Sequence, residues 1–198
     1  GDPLWYRNVK DAQGNVTGRT TTNDYAQADY YYVDKSSLPK VYGGFNTAFS
    51  YKGFELSAIF AYSIGGYIVD RDVTMLWSNG SNPGRAWSTE ILKRWTPENR
   101  DTDVPALKTV SNNWNSNSTR NLFNNSYLRM KNITLSYNFP QPLIKKISLS
   151  SLQLFVQADN LLTFSKNQGM DPEQGITGLT YYRYPAMRSI SGGLNVSF

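Results

Sequence analysis

Polar and apolar residues alternate along five separate segments of the chain. At its end, Ile190, Leu194, Val196 and Phe198 hold even positions, while the odd positions from 189 to 197 are serine, glycine or asparagine. Successive side chains of a strand point to opposite faces, so such a segment has one apolar and one polar face. The pattern predicts antiparallel up-and-down strands of an all-β fold at about 41–51, 54–64, 127–139, 151–163 and 189–198.

The connections between these strands alternate in length. Strands one and two are joined by Lys52-Gly53, and strands three and four by residues 140–150, whereas long loops are predicted at 65–126 and 164–188. Long loops on one side and short turns on the other are typical of large outer-membrane β-barrels. A soluble β-sandwich also alternates, so it remains an alternative from this pattern alone. In the sandwich, apolar residues of the strands pack against each other, whereas in the barrel they face lipid.

Aromatic side chains on the apolar parity fall at the short-turn end of the predicted strands. They are Tyr51, Phe54, Tyr137, Phe139 and Phe198. Up-and-down pairing would align them as a girdle at a membrane–water boundary. The alternative interpretation is that they are ordinary core aromatics.

Two charged residues do not fit this alternation. Strict period-2 counting puts Arg129 and Lys131 on the same parity as Ile133, the apolar face of the third strand. A charge facing hydrocarbon is costly. We therefore expect both side chains at the outer rim, beyond the hydrocarbon.

The segment before residue 41 and the long loop 65–126 have little periodicity. Residues 1–40 are predicted to be loop with one short strand near 30–33, and Asp11 to Asn15 is predicted to be a simple turn. One helix is predicted from Arg85 to Trp95, capped by Ser88 and Thr89 and ended by Thr96-Pro97. Four tryptophans are either rim packing or candidate carbohydrate-stacking rings, and these are Trp77, Trp87, Trp95 and Trp114.

The composition excludes several kinds of catalytic and metal-binding site. The 198 residues include no Cys and no His, which excludes thiolate sites, the Ser-His-Asp triad and the commonest zinc ligands. Asp171 and Glu173 are the best carboxylate pair, but two acids flanking a proline favour a rigid turn over catalysis. We expect no enzyme activity, no catalytic residue, no metal and no cofactor. The net charge of +5 is scattered, with Lys145-Lys146 the densest basic run, so nucleic-acid binding is not expected.

Several motifs together resemble the SusC/RagA family of TonB-dependent outer-membrane transporters. They are Ser126 to Pro140 (SYLRMKNITLSYNFP), Ala158 to Phe164 (ADNLLTF), Gly169 to Glu173 (GMDPE), Pro39 to Phe45 with Phe49 to Ser57, and Trp95 to Asn99 (WTPEN) before Asp103-Val104-Pro105. Their order and spacing agree with the family over most of residues 36–198. Residues 1–35 match less well.

The resemblance implies the C-terminal portion of a large plugged barrel in the outer membrane of a Gram-negative bacterium, with its long loops extracellular. It implies import of glycans or peptides with a SusD-like surface lipoprotein, powered by the TonB complex through an N-terminal part that this sequence lacks. Phe198 then resembles the signal read by the barrel-assembly machinery. The alternative function is a free-standing carbohydrate-binding β-sandwich.

An isolated part of a barrel wall would behave differently from the whole transporter. It would have two open strand edges and a wide apolar face, and both favour association. We expect such a fragment to be inactive in transport and to self-associate in water.

Overall fold

A computed structural model describes residues 1–77, 84–108, 113–167, 170–173 and 175–198. Parts of the two predicted long loops, and Gly169 of the GMDPE motif, lie outside the described residues. The chain divides into two compact units. The first contains residues 1–35, 69–122 and 179–181, and the second contains residues 36–68, 123–178 and 182–198.

The longest strands of the described structure are in the second unit. In chain order the strands are β1 Trp5–Lys10, β2 Val16–Thr22, β3 Pro39–Tyr51, β4 Phe54–Gly65, β5 Tyr67–Asp70, β6 Leu122–Asn124, β7 Tyr127–Asn138, β8 Ser151–Ser165, β9 Leu179–Thr180 and β10 Ser189–Ser197. The α-helices are α1 Arg71–Leu76 and α2 Gln141–Ile144. Single 3-10 turns lie at Tyr25–Gln27, Thr89–Lys93, Thr119–Asn121 and Lys145–Ile147.

The second unit is built on one antiparallel five-stranded sheet in the order β10-β8-β7-β4-β3. Its strands begin and end within a few residues of the predicted boundaries, and the mostly antiparallel β class is confirmed. The register of the sheet places apolar residues of neighbouring strands opposite each other, as in the pairs Phe49↔Leu56 and Leu56↔Leu135. The same face continues across β7 and β8 at Leu135↔Val156.

This apolar face is exposed in the second unit. Five of its residues retain 40–64% of their accessible surface, and these are Phe45, Leu56, Leu135, Leu154 and Leu194. A β-sandwich would bury the same side chains against a second sheet. Their exposure contradicts the sandwich alternative, because no described residue covers them.

Aromatic rings gather at the short-turn end of the apolar face. Phe54 lies 4.6 Å from Tyr137, centroid to centroid, and Tyr137 lies 5.0 Å from Phe139. Tyr51 pairs with Phe54 across the Lys52-Gly53 turn. The predicted alignment of these four aromatics is therefore present. Tyr51 and Phe54 are exposed and Tyr137 and Phe139 are half-buried, so none of the four is a buried core residue.

A bulge in β7 changes the side on which Arg129 lies. Ile59 pairs with Asn132 but Phe60 pairs with Met130, so Lys131 is an extra residue with no partner on β4. One extra residue reverses the parity of everything before it. Arg129 therefore pairs with Ala61 on the polar face, so the expectation that it lies on the apolar face is wrong, while it does lie near the end of β7 that joins the long connection.

The first unit contains structure that the sequence did not predict. Residues 1–40 are not simple loop, because β1 and β2 form an antiparallel hairpin, and the predicted strand near 30–33 is absent. Nearly every residue of the hairpin is exposed, so its strands lack the alternation of polar and apolar residues from which a strand can be predicted. The segment from Asp11 to Asn15 is a turn as predicted, with the Asp11 carboxylate accepting from the Asn15 N–H at 2.8 Å.

The predicted helix from Arg85 to Trp95 is also wrong in length and type. Only the 3-10 turn Thr89–Lys93 forms, with the Ser88 hydroxyl accepting from the Glu90 N–H. It ends before Thr96-Pro97, because Trp95 donates its N–H to the Val104 carbonyl at 2.8 Å instead of continuing the helix. The α-helix of this region is α1, capped by Asp70, whose carboxylate accepts from the N–H groups of Asp72 and Val73.

Candidate functional site

Arg129 lies at the centre of an ion-pair cluster on the polar face of the second unit. Its side chain is on β7, and the residue is only 3% exposed. The guanidinium donates from Nη2 to Asp171 Oδ1 at 2.5 Å and from Nη1 to Glu173 Oε2 at 2.8 Å. Its Nε donates to Thr163 Oγ1 of β8 at 3.1 Å. A buried charge is tolerated only when paired and hydrogen-bonded, and this one has three partners.

Lys131 joins the same cluster. Its Nζ lies 2.5 Å from Glu173 Oε2, so the bulge residue and Arg129 share one carboxylate. Both cations that strict alternation would have turned to the apolar face are thus directed to the segment 171–173. We call Arg129, Lys131, Asp171 and Glu173 the ion-pair clamp.

The clamp holds the segment that leads from β8 to β10. Asp171 Oδ1 also accepts from the Glu173 N–H at 2.9 Å, and Oδ2 accepts from the Ala186 N–H at 2.6 Å. Burial raises the pKa of Asp171, but the hydrogen bonds from Ala186, Glu173 and Arg129 outweigh it and hold the pKa below its usual range. Asp171 is therefore an ionised anchor for both ends of this segment.

Asp171 and Glu173 act in this arrangement as hydrogen-bond acceptors. Both carboxylates accept from Arg129, and Glu173 also accepts from Lys131. No cluster of three or more metal-ligating carboxylate, imidazole or thiolate groups occurs among the described residues. The clamp positions backbone that follows β8.

The polar face also carries a ladder of side-chain hydrogen bonds across the strands. Asn138 donates to Glu55 at 3.1 Å, Asn195 donates to Gln153 at 2.9 Å, and Asn132 donates to Asp159 at 2.7 Å. An open concavity of about 360 Å³ lies on this face. The face is suited to polar contact, in contrast to the apolar face behind it.

The candidate tryptophans lie in the first unit and differ in exposure. Trp77 and Trp114 stack with centroids 5.9 Å apart, and the Arg120 guanidinium lies 5.0 Å from each ring. Trp114 is 4% exposed and packs with Ile91 and Val104 in a small core. These two rings stabilise the unit.

The other two candidate tryptophans are Trp87 and Trp95. Trp95 is half-buried, and its ring lies against Gly1, where an added Cβ would come within 2.8 Å of it. Trp87 is 37% exposed. Carbohydrate stacking stays a prediction for all four rings, and Trp87 has the most accessible one.

Comparisons with known proteins agree with the geometry of the second unit. TonB-dependent receptor P3 of Formosa agariphila is 32% identical over 166 residues, which cover 78% of this chain and 16% of that receptor. TonB-dependent receptor P26 of the same organism is 28% identical over 207 residues, covering all of this chain and 20% of the receptor. No protein-family model matches.

Solved structures give the same result. The RagAB peptide importer in its closed-closed state matches with a TM-score of 0.81 and 33% identity, covering 100% of this chain and 21% of that chain. The chain belongs to the SusC/RagA type of TonB-dependent transporter. The open-open state of RagAB matches this SusC/RagA-type chain with a TM-score of 0.79 and 32% identity.

The SusC/RagA-type chain spans about a sixth to a fifth of the proteins it matches. These relatives are named as receptors and importers, not as enzymes. None of the described helices is both long and apolar enough to cross a membrane.

The sequence of this SusC/RagA-type chain did not predict the ion-pair clamp, although it marks both the cations and the acids of the clamp as unusual. Arg129 and Lys131 stood out as charges on an apolar parity, and Asp171 with Glu173 as a carboxylate pair. The signal that could have joined them is charge balance. Two cations that cannot face hydrocarbon require acidic partners on the polar face. Asp171 and Glu173, which follow the next strand, are these partners.

Deleting Lys131 tests the bulge. The deletion makes β7 alternate without interruption and turns Arg129 away from Asp171, leaving a buried charge without its partners. We expect the free energy of unfolding to fall by about 3–5 kcal/mol. Lys131→Ala is the matched control, since it keeps the extra residue and loses one half-exposed ion pair, for a cost below about 1 kcal/mol. Equal losses in urea titrations of the two variants, made in the importer in lipid vesicles, would contradict this account of the bulge.

The lowered pKa of Asp171 predicts a pH dependence. A carboxyl group whose pKa is lower in the folded than in the unfolded protein stabilises the folded state. This stabilisation is complete at pH values above the pKa of the unfolded state, and it is lost as the pH falls through the pKa of the folded state. Asp171→Asn should therefore cost about 1.5–3 kcal/mol near pH 7 and progressively less below about pH 4. Urea titrations of the importer in lipid vesicles from pH 7 to pH 2 measure this difference, with the exposed Asp101→Asn as control. A cost for Asp171→Asn that does not change with pH would refute the ionised anchor.

Proposed function

We propose that this chain supplies five neighbouring strands to the wall of a TonB-dependent nutrient importer in the outer membrane. The observation that carries the proposal is the two-sided sheet of the second unit. One face is apolar and exposed at Phe45, Leu135 and Leu194, and the other carries the ladder of amides, hydroxyls and ion pairs. A barrel wall between lipid and a polar interior requires such a sheet.

The membrane boundary of this wall is set by the aromatic residues at the short-turn end. Tyr51, Phe54, Tyr137 and Phe139 form a row at one level of the sheet. Amphipathic rings favour the headgroup level of a bilayer. Short turns of outer-membrane barrels are periplasmic, so in this proposal the long connections, including the clamped segment 171–186, are extracellular.

Transport belongs in this proposal to the whole importer, with energy from the TonB complex and a SusD-like lipoprotein as surface partner. The cargo is a peptide or a glycan. The name of the RagAB peptide importer favours peptides, and the exposed ring of Trp87 suits sugar stacking. The chain alone is expected to be inactive in transport and to self-associate through its apolar face. Phe198, directly after β10, is proposed as the assembly signal.

Cell fractionation tests the location. An antibody raised against residues 175–188 should detect an outer-membrane band several times larger than the chain, and boiling should shift it on a gel as it does for intact barrels. The control is a periplasmic marker followed through the same fractions. A soluble band at the mass of this chain would overturn the proposal.

Charge substitutions on adjacent residues test which face meets lipid. Val156 is on the apolar face in the middle of β8, and Gln157 is its neighbour on the polar face. In the importer, Val156→Lys should cost about 2–4 kcal/mol, because lysine is costly at the bilayer midplane. Gln157→Lys should cost less than about 1 kcal/mol. Urea-driven unfolding from lipid vesicles measures both costs, and equal costs would contradict the assignment of faces.

A further inference from the structure

The short-turn end of the second unit carries a surface that the transport proposal does not use. Between β7 and β8 the chain forms α2 and then the 3-10 turn Lys145–Ile147. Leu143 and Ile147 are 55% and 60% exposed there, and Lys145 and Lys146 lie between them. With Lys52 of the neighbouring turn, these residues form what we call the basic turn surface.

This surface is held in a fixed position. Ile144 is only 2% exposed and accepts a hydrogen bond from the Leu149 N–H at 3.1 Å. Gln141 Nε2 donates to the Ser150 carbonyl at 3.0 Å, and Ser148 closes the turn in the left-handed region at φ 58°. The buried isoleucine anchors the turn while its neighbours Leu143 and Ile147 stay exposed. The exposed apolar side chains are thus presented by an ordered element.

The third lysine lies on an adjoining turn. The Gly53 carbonyl accepts from the Asn138 N–H at 2.8 Å, which places the Lys52-Gly53 turn beside the end of β7, directly before α2. Lys52 Nζ lies 5.1 Å from the centroid of the exposed Tyr51 ring. The basic turn surface is therefore adjacent to the aromatic row.

The charge of this surface is not neutralised by an ion pair in the described part of the chain. Within the described residues, none of the ion pairs includes Lys52, Lys145 or Lys146. The nearest acid in sequence, Glu55, is on the polar face and accepts from Asn138. Three ammonium groups without a carboxylate partner among the described residues, next to exposed Leu143 and Ile147, complement a partner that is both anionic and apolar.

We propose that the basic turn surface binds anionic phospholipid headgroups in the leaflet at the short-turn end. Lysines near an anionic membrane surface are attracted to it, and apolar side chains beside them enter the boundary between headgroups and acyl chains. The aromatic row places this surface at the depth of the headgroups. The inference rests on the proposed function, because it requires the apolar face to be in a bilayer.

The test uses the whole importer that contains this chain, purified and reconstituted in nanodiscs with or without phosphatidylglycerol. Native mass spectrometry counts the phosphatidylglycerol molecules that stay bound. Lys145→Gln with Lys146→Gln should weaken retention about five-fold for each lysine. The same double substitution to arginine should restore it. The matched control, Lys10→Gln with Lys93→Gln, removes equal charge from exposed sites in the first unit and should leave retention unchanged.

The outcomes separate this inference from the proposed function. If all variants give a heat-shifted barrel and retain equal phosphatidylglycerol, the inference is overturned and the proposed function stands. If no variant gives a membrane barrel, both are overturned. Inorganic phosphate at millimolar concentration should not displace the lipid. Displacement by phosphate alone would show a site for free phosphate instead of a headgroup, which also overturns the inference.

Discussion

In an extended strand every second side chain points to the same face, and the second unit of this chain depends on that constraint. The register extends one apolar face across the sheet, because apolar residues of neighbouring strands are paired. The paired residues from β3 to β8 are Phe49, Leu56, Leu135 and Val156. A shift of one residue in any strand would mix the faces. The apolar face then has to leave water, and no described residue of the chain covers it. A bilayer satisfies this requirement without a second layer of protein.

The bulge at Lys131 interrupts the alternation of side chains in β7. Without it, a guanidinium would face the same side as Ile133. With it, Arg129 is buried on the polar face and needs compensation, which Asp171 and Glu173 supply. Asp171 in turn holds Ala186. A local backbone irregularity thus joins two residues fifteen positions apart, because a buried charge does not tolerate the loss of its partners.

How much the sequence predicts depends on the range of the interaction that forms each part. The long strands were predictable because alternation over about ten residues is a local signal. The hairpin of β1 and β2 was not, because its side chains face water on nearly all sides and select no apolar period. The six-residue α1 is too short for a helical period, and its cap by Asp70 is its clearest mark. The clamp joins residues more than forty positions apart, so only the folded register brings them together.

The most direct test of the account is an accessibility scan along β8. This chain has no cysteine. In an importer whose remaining cysteines, if any, are replaced by serine, a single cysteine at each position from 152 to 157 can carry a nitroxide spin label after reconstitution in lipid vesicles. Collision rates with oxygen, which concentrates in lipid, are compared with those of a water-soluble nickel chelate. The account predicts high oxygen collision at positions 152, 154 and 156 and higher nickel collision at 153, 155 and 157. Low collision with both reagents at the even positions, as in a protein core, would contradict it.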